Sequence, residues 1–202
     1  MNRNLAKFIS IILHPVLIPT YALFFIFGNT TFLSIATPGE IKKAIFYIVI
    51  CNTLVFPVFI MLVLYKTRAI ASFEMEKKEE RRVPYISNLL LILIAAYLIH
   101  TLRLPTLFLR MLLGGAAAVF ITLLVNFKWK ISIHMVGIGG LTGLLFALTT
   151  LYSIDLRYPV IFSLLAAGIL GTARISLAAH QHAQIYLGFL VGALCEYYFL
   201  GM

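Results

Sequence analysis

The chain has 202 residues, of which 62% are apolar and only 11% are charged, and its formal net charge is +9. A soluble domain carries about 25% charged residues, so this composition excludes an ordinary soluble protein and predicts one multi-pass membrane domain over residues 1–202. The positive charge is typical of loops that meet anionic lipid headgroups. The sequence contains no basic soluble module that would indicate nucleic-acid binding.

Seven apolar runs follow one another along the chain, each close to the roughly 20 residues that a helix needs to cross a bilayer. Open strands would leave backbone groups unsatisfied in lipid. The sequence therefore predicts an all-α fold, a polytopic transmembrane helix bundle. The expected spans are residues 8–27, 44–65, 86–102, 106–126, 132–151, 159–179 and 183–200.

The first run contains two prolines and a histidine. Pro15 and Pro19 each remove a backbone hydrogen bond, which predicts a kinked helix. His14 precedes the kink, and it either faces the bundle interior or bonds to a carbonyl that the kink frees. Arg3 and Lys7 come before a run that is long for a signal-peptide core, so we expect a retained span.

Small residues recur four apart in the later runs. Gly139 and Gly143 lie in the fifth run, and Gly188 and Gly192 lie in the seventh. This spacing lets two helix backbones approach closely. We expect these glycines to pack helices together rather than to take part in chemistry.

Three further features are expected to be structural. Cys51 and Cys195 lie inside apolar runs and imply no disulfide framework. The segment 66–85 carries charges of alternating sign, which is typical of a solvated loop. Glu196 lies near the far end of the last run, where we expect an ion pair with one of the arginines at that membrane face: Arg103, Arg110 or Arg157.

Counting crossings places three polar segments on one membrane face. The segment 66–85 follows the second span, 128–132 follows the fourth and 174–184 follows the sixth. This face, called the site face below, collects cations suited to phosphate and histidines suited to nucleophilic attack and proton donation. Its candidate residues are Lys77, Lys78, Arg81, Arg82, Ser132, His134, Arg174, His180, His182 and Gln184.

The segment from Arg174 to Gln184 carries the most specific spacing in the chain. Five residues separate Arg174 from His180, and three separate His180 from Gln184. This pattern resembles the third motif of the type 2 phosphatidic acid phosphatase and haloperoxidase superfamily, which reads Ser-Arg, five residues, His, three residues, Asp. Ala173 stands at the place of the Ser, and Gln184 at the place of the Asp.

Two earlier segments resemble the other motifs of that superfamily, in the same order. The first motif is Lys, six residues, Arg-Pro, and Arg82-Val83-Pro84 is similar to its end, although Met75 stands at the place of the Lys. The nearest lysines are Lys77 and Lys78. The second motif is Pro-Ser-Gly-His, and the segment 131–134 keeps Ser132 and His134 in register.

The resemblance implies a six-helix core and a phosphohistidine mechanism. His180 would attack phosphorus, and His134 would protonate the leaving oxygen. Gln184 lies four residues after His180, so it can reach that ring on a helix. Its carbonyl oxygen can accept the imidazole N–H, or its amide nitrogen can face the ring instead. Neither orientation supplies the negative charge of an Asp.

The resemblance also implies the ligand. The substrate would be a lipid phosphate or diphosphate, such as an isoprenoid phosphate, drawn from the membrane lipids. Neither a cofactor nor a metal is implied, because cationic side chains would balance the charge of the transition state. The phosphate-binding residues would be Arg82, Arg174, Ser132 and Lys78.

Two other classes of function remain open from the sequence. A non-catalytic relative could bind anionic lipid headgroups or serve as a subunit of a membrane complex. A transporter or channel is the third class, although no pair of broken helices in matching halves stands out. Gln184 favours the non-catalytic relative, whereas the two histidines favour the phosphatase.

The distribution of positive residues predicts the orientation of the chain. Eleven lie on the site face and five on the other face. This excess predicts that the N-terminus and the site face are cytoplasmic. We expect the protein in the cell membrane, the cytoplasmic membrane of a bacterium. Resemblance favours the opposite, because many bacterial members of the superfamily face the periplasm. The site-face residues are Arg3, Lys7, Lys66, Arg68, Lys77, Lys78, Arg81, Arg82, Lys128, Lys130 and Arg174; the others are Lys42, Lys43, Arg103, Arg110 and Arg157.

Overall fold

A computed structural model describes residues 1–28, 32–73, 75 and 79–202, and every regular element in this part of the chain is helical. This confirms the predicted all-α class. The α-helices are α1 (Arg3–Ile12), α2 (Ile18–Gly28), α3 (Phe32–Ala36), α4 (Gly39–Ile50), α5 (Phe56–Lys66), α6 (Arg82–Thr101), α7 (Thr106–Asn126), α8 (Ile133–Thr150), α9 (Arg157–Ser176) and α10 (His182–Gly201).

The described part of the chain contains seven helical segments long and apolar enough to cross a membrane, as the sequence predicts. The lengths and compositions of these helices indicate a multi-pass membrane protein. The first segment consists of α1 and α2, and the second of α4 and α5. The seven segments are Arg3–Gly28, Gly39–Lys66, Glu79–Thr101, Thr106–Asn126, Ile133–Thr150, Arg157–Ser176 and His182–Gly201.

The first span is broken where the prolines predict a kink. Helix α1 ends at Ile12, and a 3₁₀ turn over Pro15–Leu17 leads into α2. The backbone N–H of His14 donates to the Ile11 carbonyl at 3.2 Å, rather than to the carbonyl of Ser10 four residues earlier. The break thus frees the Ser10 carbonyl for a partner outside its own helix.

The second span is also irregular, and again a proline is near. A π-helical turn over Cys51–Val55 joins α4 to α5, two residues before the missing N–H of Pro57. Within the turn, the Asn52 amide donates to the Ile48 carbonyl and the Thr53 hydroxyl donates to the Val49 carbonyl, both at 2.9 Å. The Ile48 carbonyl also accepts the Cys51 N–H, so the side chains add hydrogen bonds to backbone acceptors beside the turn.

Among the described elements, α8 and α10 make the most extensive helix contact, and the predicted glycines lie in it. A Cβ added at Gly192 would collide with the backbone of Val136 and Gly140, and one added at Gly139 would collide with the Phe189 carbonyl. At the site face, a Cβ at Gly188 would lie 2.8 Å from the Ser132 carbonyl oxygen. Only glycine allows the two backbones to approach this closely.

The prediction that Glu196 forms an ion pair is wrong, because no described salt bridge includes it. Arg157 pairs instead with Asp155 at 2.8 Å, and the Arg110 guanidinium donates to the Tyr152 hydroxyl at 3.2 Å. Glu196 is buried at 7% exposure, and its Oε2 has no hydrogen-bond partner in the described structure. The Glu196 carboxyl lies against Gly114 of α7 instead.

We predict that Gly192→Ala lowers the melting temperature of the detergent-solubilised protein by roughly 5 °C or more, because overpacking a helix contact costs about 1–3 kcal/mol. Gly168→Ala is the matched control, since nothing lies within 4 Å of the Cβ that it adds. Equal melting temperatures for both variants would contradict this account of the α8–α10 contact.

Candidate functional site

A cavity of about 770 Å³ is lined by residues of α1, α2 and α5 to α10 and of the turn before α10. Most of its wall is apolar. The polar groups gather at the end near the site face, apart from a few that lie deeper among the helices. The polar side chains near the site face are Lys7, Ser10, His14, Arg81, Tyr85, His134, Arg174 and His180.

Charge is unevenly distributed in the described lining of this cavity. Lys7, Arg81 and Arg174 supply three cationic side chains at the site-face end, whereas the only carboxyl in the described lining is that of Glu196. Arginine presents a planar fork of donors that matches phosphate oxygens. The site-face end is therefore suited to an anion.

A helix ending places Arg174 beside His180. Helix α9 ends at Ser176, and Ala178 adopts a left-handed backbone with φ of 53°. The turn closes when the Ala179 N–H donates to the Arg174 carbonyl at 3.1 Å. The five-residue spacing of the motif is thus the length of this turn, which returns the chain to the end of α9.

The Arg174 guanidinium reaches the broken first span. Its Nη1 donates to the Ser10 hydroxyl at 3.3 Å, and both residues line the cavity. The contact joins the end of α9 to the last turn of α1. It holds the arginine at the cavity wall and places the hydroxyl of Ser10 within the same cluster.

Gln184 fixes the ring of His180. The Gln184 Oε1 lies 3.0 Å from His180 Nδ1, and it also accepts the Gln181 backbone N–H at 3.1 Å. The Gln181 side chain in turn caps the Gln184 backbone N–H, so the two residues form a capping box at the start of α10. Because a backbone N–H can only donate, the oxygen of Gln184 must face it.

The orientation of this amide determines the tautomer of His180. An amide oxygen accepts hydrogen bonds, so the Nδ1 of His180 must carry the proton. The Nε2 of the neutral ring then keeps its lone pair. His180 lines the cavity whereas Gln184 lies behind it. Of the two orientations open from the sequence, the helix cap selects the one that suits a nucleophile.

His134 meets the first span in the same cluster. Its Nε2 lies 3.2 Å from the Ser10 carbonyl oxygen, the acceptor freed by the break at Pro15. A carbonyl can only accept, so this Nε2 carries a proton. The His14 ring packs edge-on against the His134 ring at 5.0 Å between centroids, and its Nδ1 accepts the Val16 N–H at 3.4 Å. His14 therefore faces the interior and also caps the turn.

Arg81, rather than the motif residue Arg82, lines the cavity. The Arg81 Nε donates to the Met75 carbonyl at 2.8 Å, and its side chain is 4% exposed. Arg82 instead stacks on the Phe127 ring at 4.9 Å, and its enclosed Nε has no hydrogen-bond partner among the described residues. Lys78, the fourth proposed phosphate ligand, lies outside the described residues.

Ser132 and His182 lie outside the cavity lining. Ser132 is fully buried where α8 meets α10, and its backbone N–H donates to the Gln184 carbonyl at 3.3 Å. Its hydroxyl has no partner in the described structure. His182 is exposed and stacks on Tyr186 at 6.5 Å. Of the predicted site residues, Arg81, His134, Arg174 and His180 share the cavity.

Sequence reasoning missed Ser10 and Tyr85, which belong to no motif. It named Arg81 as a candidate on the site face, but it assigned phosphate binding to the neighbouring Arg82, which matched the motif. The available signal was the His14-Pro15 pair, because a helix break inside a span exposes backbone groups that a polar side chain must satisfy. The helix break therefore indicated that a polar side chain would bind here, and in the structure that side chain is His134.

Burial lowers the pKa of His180 to about 3. The hydrogen bond that His180 donates to Gln184 opposes this shift, whereas the positive charges of Arg174, Arg81 and Lys130 add to it. The imidazole is thus neutral at pH 7.

No protein-family model, no curated protein and no solved structure matches this chain. The resemblance of the three motifs therefore stays a prediction. The evidence for the function of this protein is the geometry of the cavity and the chemistry of the side chains that line it.

We predict that acid destabilises the protein partly through His180. Its folded pKa lies below the unfolded value of 6.5, so the unfolded state binds a proton first, and stability falls as the pH drops below about 6.5. At pH 5 the loss is up to about 2 kcal/mol. Melting temperatures at pH 7 and pH 5 should differ less for His180→Gln than for the wild type, and equal differences would contradict the prediction.

Proposed function

We propose that this protein hydrolyses a lipid phosphate or diphosphate at the site-face end of the cavity, with His180 as the nucleophile. The observation that carries the proposal is the paired hydrogen bond of Gln184, which leaves the Nε2 lone pair of His180 available beside cationic groups. An apolar cavity that continues from this end into the bundle suits a substrate with a hydrocarbon chain.

The proposed reaction has two steps. The Nε2 of His180 attacks phosphorus, the bond from phosphorus to the lipid oxygen breaks, and that oxygen takes a proton from His134. Water then attacks phosphorus and gives a proton back to His134 while the phosphorus–nitrogen bond breaks, which releases phosphate and restores both imidazoles. Arg174 and Arg81 bind the phosphoryl oxygens, and preorganised positive charge of this kind lowers the barrier most where negative charge develops.

His134 is placed for proton transfer through its Nε2. That nitrogen donates to the Ser10 carbonyl, and in the reaction the leaving oxygen would replace the carbonyl as its acceptor. The neighbouring His14 packs against the same ring, which fixes its plane. His14 and Ser10 thus act as positioning residues for the general acid.

One observation favours a second function, the binding of an anionic lipid headgroup without hydrolysis. Gln184 is neutral and already caps α10, so it cannot supply the charge that stabilises a cationic ring as phosphorus is attacked. In the catalytic triad of serine proteases, replacing the carboxylate beside the histidine with an amide costs on the order of 10⁴ in rate, much of it because the histidine takes the wrong tautomer. A headgroup-binding protein would keep the cations and need no such charge.

We predict that Gln184→Asp raises the rate of phosphate release from lipid phosphates by roughly tenfold or more, because a carboxylate stabilises the ring cation by about 1.4 kcal/mol or more. Gln184→Glu tests the same charge at the original side-chain length, and Gln184→Leu is the control that supplies neither charge nor acceptor. Phosphate release is measured for all four proteins in one detergent with several lipid phosphates.

If neither the wild type nor the two acidic variants released phosphate, the proposal of a hydrolase would be overturned, provided that their melting temperatures show an intact fold. Loss of activity in His180→Gln, with hydrolysis retained in His182→Gln, would support the assignment of the nucleophile. His182 is the matched control because it lies near His180 in the chain but outside the cavity lining.

We further propose that the site face is cytoplasmic, as the excess of positive residues on that face favours. Ser72 lies on this face and Ser153 on the opposite one, by the order of the seven spans. The orientation determines which leaflet supplies the substrate, since the polar end of the cavity lies at the site face.

We expect an impermeant thiol reagent to label Ser153→Cys but not Ser72→Cys in intact cells. Cys51 and Cys195 are both free, so each variant is made in a background where alanine replaces them. Permeabilised cells, in which both positions become accessible, are the control. The reverse pattern of labelling would place the site face on the outside.

A further inference from the structure

Glu196 is a buried carboxyl that the proposed reaction does not use. It lies on α10 and lines the same cavity as Arg174 and His180. Its Oε2 is enclosed and has no hydrogen-bond partner among the described residues. An intramembrane acidic residue is costly to retain and marks a functional site by default.

Glycines of two neighbouring helices shape the place that this carboxyl occupies. A Cβ at Gly114 of α7 would lie 2.8 Å from Oε2, and one at Gly115 would lie 3.5 Å from Oε1. A Cβ at Gly140 of α8 would lie 3.5 Å from the Glu196 Cγ. The side chain thus fits a recess with room for it, and Gly115 and Gly140 also line the cavity.

The surroundings favour the neutral acid. An isolated carboxylate in an apolar site is far more costly than a carboxylic acid, and neither of the two described salt bridges includes Glu196. A carboxylic acid offers one O–H donor. Oε2 is enclosed against Gly114, whereas Oε1 lies beside Gly115, a residue of the cavity lining. The O–H of the acid can therefore be on Oε1, and a ligand in the cavity is the natural source of its acceptor.

The depth of Glu196 limits where that acceptor lies. Gly140, which contacts Glu196, is six residues beyond His134 on α8, on the order of 9 Å along the helix axis. An acceptor a few covalent bonds from phosphorus, with hydrogen bonds of about 3 Å at both ends, spans a similar distance. A plain hydrocarbon chain, such as that of an isoprenoid phosphate, carries no acceptor there.

We propose that Glu196 is a second polar subsite, which donates a hydrogen bond to an ester carbonyl of an acylated lipid whose phosphate lies at Arg174. The inference rests on the proposed function for the position of the phosphate. It assigns Glu196 as a specificity residue that distinguishes ester-linked lipid phosphates from isoprenoid phosphates.

The test compares two non-hydrolysable phosphonate lipids of equal chain length, one with ester-linked and one with ether-linked chains. Dissociation constants are measured in detergent for the wild type, Glu196→Gln, Glu196→Met and Arg174→Gln. We expect the wild type to bind the ester analogue roughly fivefold more tightly, the effect of one hydrogen bond. Glu196→Gln keeps a donor and should keep the preference, whereas Glu196→Met should bind both analogues equally.

The outcomes separate this inference from the proposed function. Equal binding of both analogues by the wild type, weakened in Arg174→Gln, would overturn the Glu196 subsite and leave the phosphate site standing. Binding of neither analogue in an Arg174-dependent way would overturn both. A higher melting temperature for Glu196→Met, with the ester preference lost, would support the subsite, because an unpartnered buried carboxyl would have been retained at a cost to stability.

Discussion

The close contact of α8 and α10 is the constraint on which the candidate site depends. His134 is the second residue of α8, and His180 lies two residues before α10 begins. The glycines that let the two backbones meet therefore also fix the separation of the two histidines. At the site-face end of the contact, the Ser132 N–H donates to the Gln184 carbonyl. A shift of one helix along the other would move both histidines relative to each other and break this bond.

The first span completes the site because it is not a continuous helix. A regular helix through residue 14 would have used the Ser10 carbonyl internally, leaving none for His134. Pro15 prevents that arrangement, and the freed carbonyl and the hydroxyl of Ser10 then bind His134 and Arg174 respectively. The irregular backbone is tolerated because it lines a cavity rather than facing lipid.

Gln184 shows how one side chain can serve two purposes at a helix start. Its oxygen accepts both the N–H of the residue before the helix and the ring of His180. The capping role alone would explain a glutamine at this position. The consequence for chemistry is that the cap orients the imidazole as an Asp would, without contributing charge, and this distinction separates the two proposed functions.

The sequence by itself determined the seven spans and the face to which each polar segment belongs, because hydropathy and crossing order depend on the chain alone. It also determined that Gly139, Gly188 and Gly192 pack helices, since only close backbone approach explains their spacing. Tertiary structure decided which side chains reach the cavity. Consecutive residues point in different directions at a helix start, so Arg81 enters and Arg82 stacks on Phe127.

Contacts between segments far apart in the chain could not be predicted from the sequence either, because they too depend on how the helices pack. The approach of Ser10 to Arg174 and His134 depends on how α1 packs beside α8 and α9, which no local pattern encodes. The sequence showed how far along the last span Glu196 lies, but it did not show which residues surround its side chain. Depth follows from residue count, whereas direction around the helix axis follows from packing, and that direction placed the carboxyl against glycines instead of an arginine.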